Sequence, residues 1–315
     1  MQPIIEVSHL VKRYKRSSVN AVNDISFTVA PGELFALLGP NGAGKTTTIS
    51  ILTTTLSPTS GTVRIAGHDV NREASVVRRA VGIIFQQPSL DLNLTAEENV
   101  RFHAILYGLY PFRPVYALMP RAYRNQVTEL AAVLGIEKEI FKPIKTFSGG
   151  MKRKLEIIRS LVHKPHVLFL DEPTSGLDPV SRRNLWEYLR QVRRESGTTV
   201  FLTTHYLEES EEADTVCIIN KGQIVSYGAP SAIKADLIQN YLEVDAQDRE
   251  QLRAELRRLG YQFSDTTPLR IVLDGQSAQQ VVKSIETPLT LLKTHIPTLE
   301  DAYLAIVEEK DRDHE

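Results

Sequence analysis

The chain has a single cysteine among 315 residues, Cys217, which lies in the apolar run TVCIIN. One cysteine permits no intrachain disulfide and favours a reducing compartment such as the cytosol. The sequence also lacks any apolar run near the roughly 18–20 residues that span a bilayer, and Glu6 and His9 interrupt its N-terminal apolar patch, unlike a signal peptide. We therefore expect a cytoplasmic chain that does not cross a membrane by itself.

An excess of charge of one sign is also missing. Thirty-seven Lys+Arg are balanced by 38 Asp+Glu, which leaves a net charge of -1. Proteins that bind nucleic acid non-specifically present a strong basic field, so nucleic acid is not an expected partner. A composition of 42% hydrophobic and 24% charged residues is typical of globular proteins, and the length allows one main domain and a smaller one.

Strand patterns dominate the start of the chain. Residues 1–38 contain IIEVSHL, AVNDISFTV and ELFALLG, separated by polar or Pro-Gly turns, which predict short strands. Later runs (VGIIF, HVLFL, TVFLTT, VCIIN) are apolar on both faces, as buried parallel strands are. Helix-length segments lie between them, so we expect an α/β fold whose parallel sheet has helical crossovers, with a mostly helical subdomain at about 87–160.

The composition changes after Pro230. A linker helix over about 231–239 is followed by patterns that predict, in order, strand YLEV, helix DREQLRAELRRLG, strands YQF and LRIVL, helix SAQQVVKSI, strand LTLLK and helix TLEDAYLAIVEE. The first six follow a βαββαβ order, which is that of ferredoxin-like α+β domains. We expect a main domain at 1–235 and a small accessory domain at 236–315.

The segment GPNGAGKT, Gly39 to Thr46, matches the phosphate-binding pattern G-x-x-x-x-G-K-(S/T). It follows a predicted buried strand and precedes a predicted helix, the context that this motif needs. Its glycines let backbone amides surround phosphate oxygens, Lys45 reaches the β and γ phosphates, and the Thr46 hydroxyl ligates Mg²⁺. The chain is therefore expected to belong to the P-loop NTPase fold class.

A second apolar strand ends in two acids, in the segment HVLFLDEP. Asp171 is placed to hold Mg²⁺ through water, and Glu172 to orient or deprotonate an attacking water. Two adjacent acids alone are commonly a solvated turn, but a P-loop in the same chain favours the catalytic interpretation.

The stretch FSGGMKRKLEIIRSL starts a predicted helix with two glycines and three cations, Lys152, Arg153 and Lys154. The amino end of a helix already carries positive partial charge and favours acids, so these cations conflict with the local rule. Such conflicts are common at functional sites. The conflict indicates a bound anion, although solvated side chains explain the cations equally well.

Taken in order, these motifs resemble the ATP-binding subunits of ABC transporters over about residues 4–235. In that family SGG, here Ser148 to Gly150, is the signature; it follows the P-loop and precedes LFLDEP in the family's order. Gln86 resembles the loop glutamine that senses Mg²⁺ and the lytic water, and His205 resembles the switch histidine that contacts the γ phosphate. Each match is weak alone, and their joint order is what is specific.

Two further matches complete the resemblance: Tyr14 resembles the aromatic residue that stacks on adenine, and SGLD, Ser175 to Asp178, resembles the loop that crosses the dimer interface. The resemblance thus implies ATP and Mg²⁺ as cofactors, with Glu172, His205 and Gln86 catalytic, Thr46, Gln86 and Asp171 at the metal, and Asp178 at the interface. The residues it implies for nucleotide binding are Tyr14, Gly39, Pro40, Asn41, Gly42, Ala43, Gly44, Lys45, Thr46, Thr47, Ser148, Gly149 and Gly150.

The family's geometry also implies an assembly. Ser148, Gly149 and Gly150 would cap the γ phosphate held by the P-loop of a second subunit, so that two ATP molecules join a dimer. Because every catalytic element is intact in this single chain, we expect a homodimer. It would dock on a separate transmembrane permease subunit and so sit at the cytoplasmic face of the cell membrane.

Departures from the commonest signature point to one branch of the family. Phe147 replaces the usual leucine and Met151 the usual glutamine, a variant that resembles the drug- and polysaccharide-exporting branch of daunorubicin-resistance type. Export is therefore expected rather than import. The segments Pro88 to Asn93 and LYPFRPVYALM are candidate permease contacts; an ordinary surface loop is the alternative for the second, within residues 107–124.

Other functions fit the sequence less well. A soluble ABC ATPase that acts on DNA needs a long coiled coil before the acidic strand, and the spacer here is too short; ribosome-associated relatives usually carry two cassettes. An importer ATPase with a regulatory C-terminal domain differs mainly in its partner, and a purely structural nucleotide-binding module would need a defective site. The C-terminal domain could serve dimerisation, regulation or substrate recognition, since its topology settles none of these.

Overall fold

The computed structural model describes residues 2–15, 17–84, 89–174, 176–204, 207–237, 241–273, 276–295, 298–301 and 303. The chain divides into two compact units, Met1–Gly228 and Ala229–Glu315.

The first unit is built from ten strands and seven helices among the described residues. The strands are β1 (Ile5–Arg13), β2 (Asn20–Val29), β3 (Leu34–Leu38), β4 (Ser60–Ile65), β5 (His68–Asp69), β6 (Val81–Ile84), β7 (Val167–Asp171), β8 (Thr199–Thr203), β9 (Thr215–Asn220) and β10 (Gln223–Gly228). The helices are α1 (Lys45–Leu52), α2 (Ala74–Ala80), α3 (Ala96–Leu106), α4 (Arg121–Val133), α5 (Gly149–Leu161), α6 (Pro179–Ser196) and α7 (Leu207–Ser210).

A six-stranded sheet forms the centre of this unit, in the order β10-β9-β3-β8-β7-β6. Every pair from β9 to β6 is parallel, and only β10 runs antiparallel to its neighbour. Strands β3, β7 and β8 are buried along their whole length, which explains their continuous apolar sequences. The predicted strand HVLFL is shifted by one residue, because Asp171 still pairs with Thr203 of β8.

A second, antiparallel sheet has the order β2-β1-β4-β5. Stacked aromatic rings join it to the central sheet: Phe27 of β2 lies 5.2 Å from Phe35 of β3, and Phe35 lies 5.0 Å from Phe201 of β8. Burial of such large rings is a major favourable term in a core. The shared core fixes the loop after β3 between the two sheets.

Helices fill the chain between β6 and β7. Helix α3 starts with a capping box, in which Thr95 and Glu98 satisfy each other's free backbone N–H groups. Helix α4 and two short helical turns, Tyr116–Leu118 and Ile144–Thr146, lead to α5. The expected helical subdomain at about 87–160 falls on this part of the chain.

The second unit contains α8 (Pro230–Leu237), β11 (Tyr241–Ala246), α9 (Arg249–Arg258), β12 (Phe263–Ser264), β13 (Leu269–Val272), α10 (Ala278–Ser284) and β14 (Leu289–His295). Its four strands form an antiparallel sheet in the order β12-β13-β11-β14. A core that includes Leu242, Leu252 and Ile271 lies between this sheet and its helices.

One strand of this unit differs from the prediction. The strand predicted over YQF begins only at Phe263, because the Tyr261 N–H donates to the Leu256 carbonyl and so closes the end of α9. Most of the helix predicted from Thr298 lies outside the described residues.

Candidate active site

The P-loop, residues 39–44, joins β3 to α1. Gly44 adopts a φ of 109°, and a Cβ there would lie 2.4 Å from the Ala21 carbonyl oxygen. A Cβ on Gly39 would lie 2.2 Å from the Ile219 carbonyl oxygen. Glycine is therefore required at both positions by backbone that approaches from β2 and β9. The loop is held further by the Gly222 N–H, which donates to the Ala43 carbonyl at 2.9 Å.

Lys45 is the first residue of α1, and its Nζ donates to the carbonyl oxygens of Gly39 at 2.6 Å and Pro40 at 3.0 Å. Burial lowers the pKa of this ammonium, and the negative charges of Glu172 and Asp171 oppose that shift. The ammonium lies along the loop, where the charges of both carboxylates act on its pKa. This is the charge pattern of a site for a polyanion with a cation.

Asp171 is buried at the carboxyl end of β7 and accepts a hydrogen bond from the Thr203 hydroxyl. Burial raises the pKa of Asp171, the hydrogen bond from Thr203 lowers it, and the neighbouring Glu172 raises it. A carboxylate that is buried beside another carboxylate is destabilised as an anion. A bound cation would relieve that cost, so the position suits a metal ligand.

Glu172 follows directly and adopts a left-handed φ of 50°. Its N–H donates to the Thr203 carbonyl at 2.9 Å. Left-handed backbone is uncommon for residues other than glycine and tends to persist where the surroundings impose it, often at functional sites. The turn aims the Glu172 side chain away from the direction that a continued strand would give it.

The candidate residues are gathered by the order of the strands. Strands β3, β8, β7 and β6 are adjacent and parallel, so their carboxyl ends lie along one edge of the sheet. Ligands of open α/β sheets bind at this edge. Lys45 and the pair Asp171 and Glu172 follow two of these ends. Gln86 and His205, predicted for the other two, lie outside the described residues.

Helix α5 begins at Gly149, with Ser148 as its N-cap: the Met151 N–H donates to the Ser148 hydroxyl at 3.3 Å. A Cβ on Gly150 would lie 3.0 Å from the carbonyl oxygen of Gly176. The first turn of α5 thus lies against the backbone of the loop before α6. Ser175, in the same loop, lies outside the described residues.

The ABC transporter family profile matches residues 22–175. The daunorubicin/doxorubicin resistance ATP-binding protein DrrA of Streptomyces peucetius is 40% identical over 278 residues, which cover 86% of this chain and 81% of DrrA. This chain belongs to the ABC transporter ATP-binding family. The Nod factor export ATP-binding protein I of Paraburkholderia xenovorans is 38% identical over 307 residues, covering 96% of each chain. The resemblance predicted from the motifs is confirmed.

A solved structure gives the same fold. It is described as a dimeric, post-hydrolysis state of the ATP-binding cassette MJ0796 bound to ADP and Pi, and it matches with a TM-score of 0.65 at 25% identity, over 71% of this chain and 98% of that chain. The P-loop NTPase fold with mixed α/β sheets is therefore confirmed. Among the described helices, none is both long and apolar enough to cross a bilayer.

Tyr14 lies beside the P-loop helix of this ABC protein. Its hydroxyl is 3.2 Å from the Thr47 hydroxyl, and the ring is 46% exposed. The Lys12 ammonium lies 5.7 Å from the ring centroid. An exposed ring next to a phosphate-binding loop is available to stack on a base.

Asp178 is the N-cap of α6: its carboxylate accepts hydrogen bonds from the Ser181 N–H at 2.9 Å and from the Ser181 hydroxyl. These two hydrogen bonds lower the pKa of Asp178. The Lys154 ammonium lies 3.8 Å from the same carboxylate. The sequence Asp-Pro-Val-Ser, in which an N-cap residue is followed by proline, is a pattern that predicts this cap.

Two of the three cations of the signature helix have different surroundings. Lys154 pairs with Asp178, whereas Arg153 is only 4% exposed and donates to backbone carbonyls at the end of β7 and in the turn that follows it. The anion expected from the helix start is thus not needed to explain Arg153. No sequence pattern predicts this role, because the acceptors are main-chain atoms of the next element and of the turn after it.

The aromatic segment in the helical subdomain forms its own cluster. Tyr110 and Tyr116 pack edge-on against the buried Tyr123, with ring centroids 5.6 and 6.2 Å away. Phe112 points outward and is 61% exposed. The other candidate permease contact is the segment from Pro88 to Asn93. Pro88 lies outside the described residues, and the Ser89 N–H donates to the Glu156 carboxylate at 2.7 Å.

Proposed function

We propose that this chain is the ATP-hydrolysing subunit of an ABC exporter and that it works as a homodimer docked on separate transmembrane permease subunits. One observation carries the proposal: Lys45 of the P-loop follows the end of β3, and Asp171 and Glu172 follow the end of β7 at the same edge of the parallel sheet. The same chain has the family signature at the start of α5. The phosphate-binding loop, the hydrolytic carboxylate and the closing signature would thereby all be supplied by one type of chain.

ATP is the proposed nucleotide, with its phosphates in the loop Gly39–Gly44 and its base on Tyr14. The residues present also fit Mg²⁺, since the Thr46 hydroxyl and the buried Asp171 carboxylate are the hard oxygen donors that this ion prefers. Gln86 is the third proposed ligand. Bound there, Mg²⁺ would neutralise charge on the β and γ phosphates. Lys45 would contribute a second positive charge to the same oxygens.

For hydrolysis, Glu172 would orient the attacking water and take up its proton, with His205 and Gln86 contacting the γ phosphate and the water. The water oxygen bonds to the γ phosphorus, and the bond between that phosphorus and its bridging oxygen breaks, which releases ADP and inorganic phosphate. Positioning and electrostatic stabilisation dominate catalysis of this reaction class.

The proposed dimer places two ATP molecules between facing copies of the chain. The first turn of α5 offers the Ser148 hydroxyl and the uncovered backbone of Gly149 to the partner's γ phosphate, at the positive end of a helix dipole. Asp178 borders the same surface. Dimerisation itself is supported by the similar solved structure, which is described as dimeric and bound to ADP and Pi.

Export is proposed because relatives of this chain are named for drug resistance and for Nod factor export. The chain would be held at the cytoplasmic face of the cell membrane by its permease. Phe112 and the segment from Pro88 to Asn93 are the proposed contacts.

For the second unit we propose a ferredoxin-like domain, supported by its βαββαβ order and antiparallel sheet. The compact unit starts at Ala229, so the proposed main domain of 1–235 would include most of α8 as a linker. Dimerisation or regulation is the role we propose for this domain.

The test of the activity is Mg²⁺-dependent phosphate release by the purified chain. We expect Lys45→Ala and Glu172→Gln each to abolish it, and Glu172→Gln to retain ATP binding. Full hydrolysis by the Glu172 variant would refute the role of that carboxylate.

A further inference from the structure

A single buried guanidinium holds the turn that carries the catalytic carboxylate. Arg153 of α5 donates from Nη2 to the carbonyl oxygens of Asp171 and Glu172, each at 2.7 Å, and from Nε to that of Pro173 at 3.1 Å. Three consecutive carbonyls therefore share one side chain. A guanidinium can do this because its donors are several, planar and rigidly spaced.

The turn needs such support. Glu172 is in the left-handed region, which disfavours any residue with a Cβ, and its backbone has left the β-ladder. On one side, the Glu172 N–H donates to the Thr203 carbonyl of β8. On the other side, Arg153 binds the carbonyls. The two contacts together fix the peptide planes on both sides of the Glu172 Cα and thus the direction of its side chain.

Arg153 also belongs to a chain of contacts that starts elsewhere in the protein. Its Nη1 lies 3.4 Å from Glu156, which is equally buried, and Glu156 accepts the Ser89 N–H at 2.7 Å. Arg159 donates to the Ser89 carbonyl at 2.7 Å and to its hydroxyl at 2.6 Å. One face of α5 therefore connects Ser89, near the predicted permease contact, with the turn at Glu172.

We propose that Arg153 is a positioning residue for hydrolysis: from the signature helix it holds the turn of Asp171 to Pro173 so that Glu172 meets the attacking water. The inference rests on the proposed function, because it assumes that Glu172 acts on that water. Movement of α5 or of Ser89 would then change the placement of Glu172 and the rate of hydrolysis. ATP binding at the P-loop, on a different element, would change little.

The experiment compares Arg153→Lys and Arg153→Met with the wild-type chain in steady-state ATP hydrolysis. Misplacing a catalytic group by about 1 Å costs on the order of 100-fold in rate, so we expect a fall of that order in kcat for Arg153→Met. Arg153→Lys keeps the charge but not the planar fork, and should fall in between. KM for ATP should stay within about twofold of the wild-type value, because the phosphates bind at the P-loop and the Asp171 carboxylate keeps its hydrogen bond from Thr203.

Arg101→Met is the matched control for loss of a buried arginine. Arg101 is 2% exposed, lies 3.0 Å from Glu97 of the same helix, and donates to the Arg113 carbonyl at 2.7 Å. It thus resembles Arg153 in burial, ion pair and carbonyl contact, but it lies on α3. We expect Arg101→Met to lower the melting temperature as Arg153→Met does, with kcat per folded molecule unchanged.

A second readout separates positioning from general stability. If Arg153 acts through Glu172, then adding Arg153→Lys to Glu172→Gln should not lower any further the trace rate that a single-turnover assay with excess enzyme detects in Glu172→Gln, since the group being positioned is already lost. Wild-type kcat in Arg153→Lys overturns the inference, even if Arg153→Met fails to fold. So does an Arg153→Lys effect that is undiminished in the Glu172→Gln background. Hydrolysis that survives Glu172→Gln at the full rate refutes the proposed function instead.

Discussion

The Thr203 hydroxyl donates a hydrogen bond to the Asp171 carboxylate, across the neighbouring parallel strands β8 and β7. It is the contact that opposes the rise in the pKa of Asp171 caused by burial. The backbone of the same threonine accepts the Glu172 N–H. Thr203 therefore supports both carboxylates of the site, one through its side chain and one through its main chain.

Thr203→Val keeps the shape and the main-chain contact but removes the hydroxyl. The pKa of Asp171 should rise further, so that less of its Mg²⁺-binding anion is present, and the carboxylate should lose the hydrogen bond that orients it toward the metal. A hydrogen bond to a charged group contributes about 1.5–3 kcal/mol, so the Mg²⁺ concentration for half-maximal ATPase should rise about tenfold or more. Thr198→Val is the control, since its hydroxyl is also buried but donates to the Pro165 carbonyl at 3.1 Å. An unchanged Mg²⁺ requirement in Thr203→Val would contradict the proposed metal role.

Tyr14→Ala should weaken ATP binding about fivefold, because stacking on the base is worth about 1 kcal/mol. Titration with a fluorescent ATP analogue measures this directly. Tyr14→Phe keeps the ring and loses only the contact with Thr47 at 3.2 Å, so it should bind nearly as the wild type does. Equal weakening in both variants would assign the effect to the hydroxyl and not to stacking.

Phe112→Ser should reduce pull-down of the co-expressed permease without changing nucleotide affinity, because it removes an exposed ring that supports no core. Serine at Tyr110 or Tyr116 would be less informative, since both rings pack on Tyr123. Val76→Ser, on the exposed part of α2, is the control. Undiminished pull-down of the permease would remove Phe112 from the docking surface.

The chain should lose stability in mild acid partly through His103 of α3. The centroid of its ring lies 4.2 Å from that of Tyr107 and 5.6 Å from that of His163, which follows α5. Burial, then the charges of Arg159 and His163, lower the pKa of His103 to about 3 from 6.5. Between those values the unfolded chain binds more protons, so the free energy of unfolding falls as pH decreases through about 6.5.

His103→Phe keeps a ring and removes this titration. Urea unfolding should show that the variant loses about 1–2 kcal/mol less than the wild type between pH 7 and pH 5. At pH 7 its stability should not be lower, because His103 Nε2 is buried without a hydrogen-bond partner in the part of the chain that is described. An equal decrease in the free energy of unfolding of both proteins between pH 7 and pH 5 would contradict the lowered pKa of His103.

Much of the candidate site could be predicted because its sequence patterns lie within short, continuous segments of the chain. The P-loop needs glycine where Ile219 and Ala21 approach, and the buried strands before Lys45 and Asp171 are continuously apolar. Local pattern thus located the phosphate loop, the acid pair and the start of α5.

What the sequence could not predict depends on contacts between different elements. Arg153 lies in the first turn of a helix, where the dipole rule indicates an external anion, but its acceptors are three carbonyls, at the end of β7 and in the turn that follows. Main-chain acceptors have no sequence signature, since every residue carries one. The same holds for Thr203, whose partners are set by the pairing of β8 with β7.

The central claim is that each hydrolytic site combines the P-loop of one copy with the signature of another, and mixing two inactive variants tests it. Lys45→Ala removes the P-loop cation, and Gly149→Asp places a negative charge at the start of α5, where an added Cβ meets no atom within 4 Å. A mixed dimer then contains one site with both defects and one intact site.

Each variant alone should be inactive, and an equimolar mixture, exchanged to equilibrium, should recover about a quarter of wild-type ATPase, because half of the dimers are mixed and each has one intact site. A double variant, Lys45→Ala with Gly149→Asp, mixed with either single variant should recover nothing. A mixture of the two single variants that stays as inactive as its components would contradict the shared site.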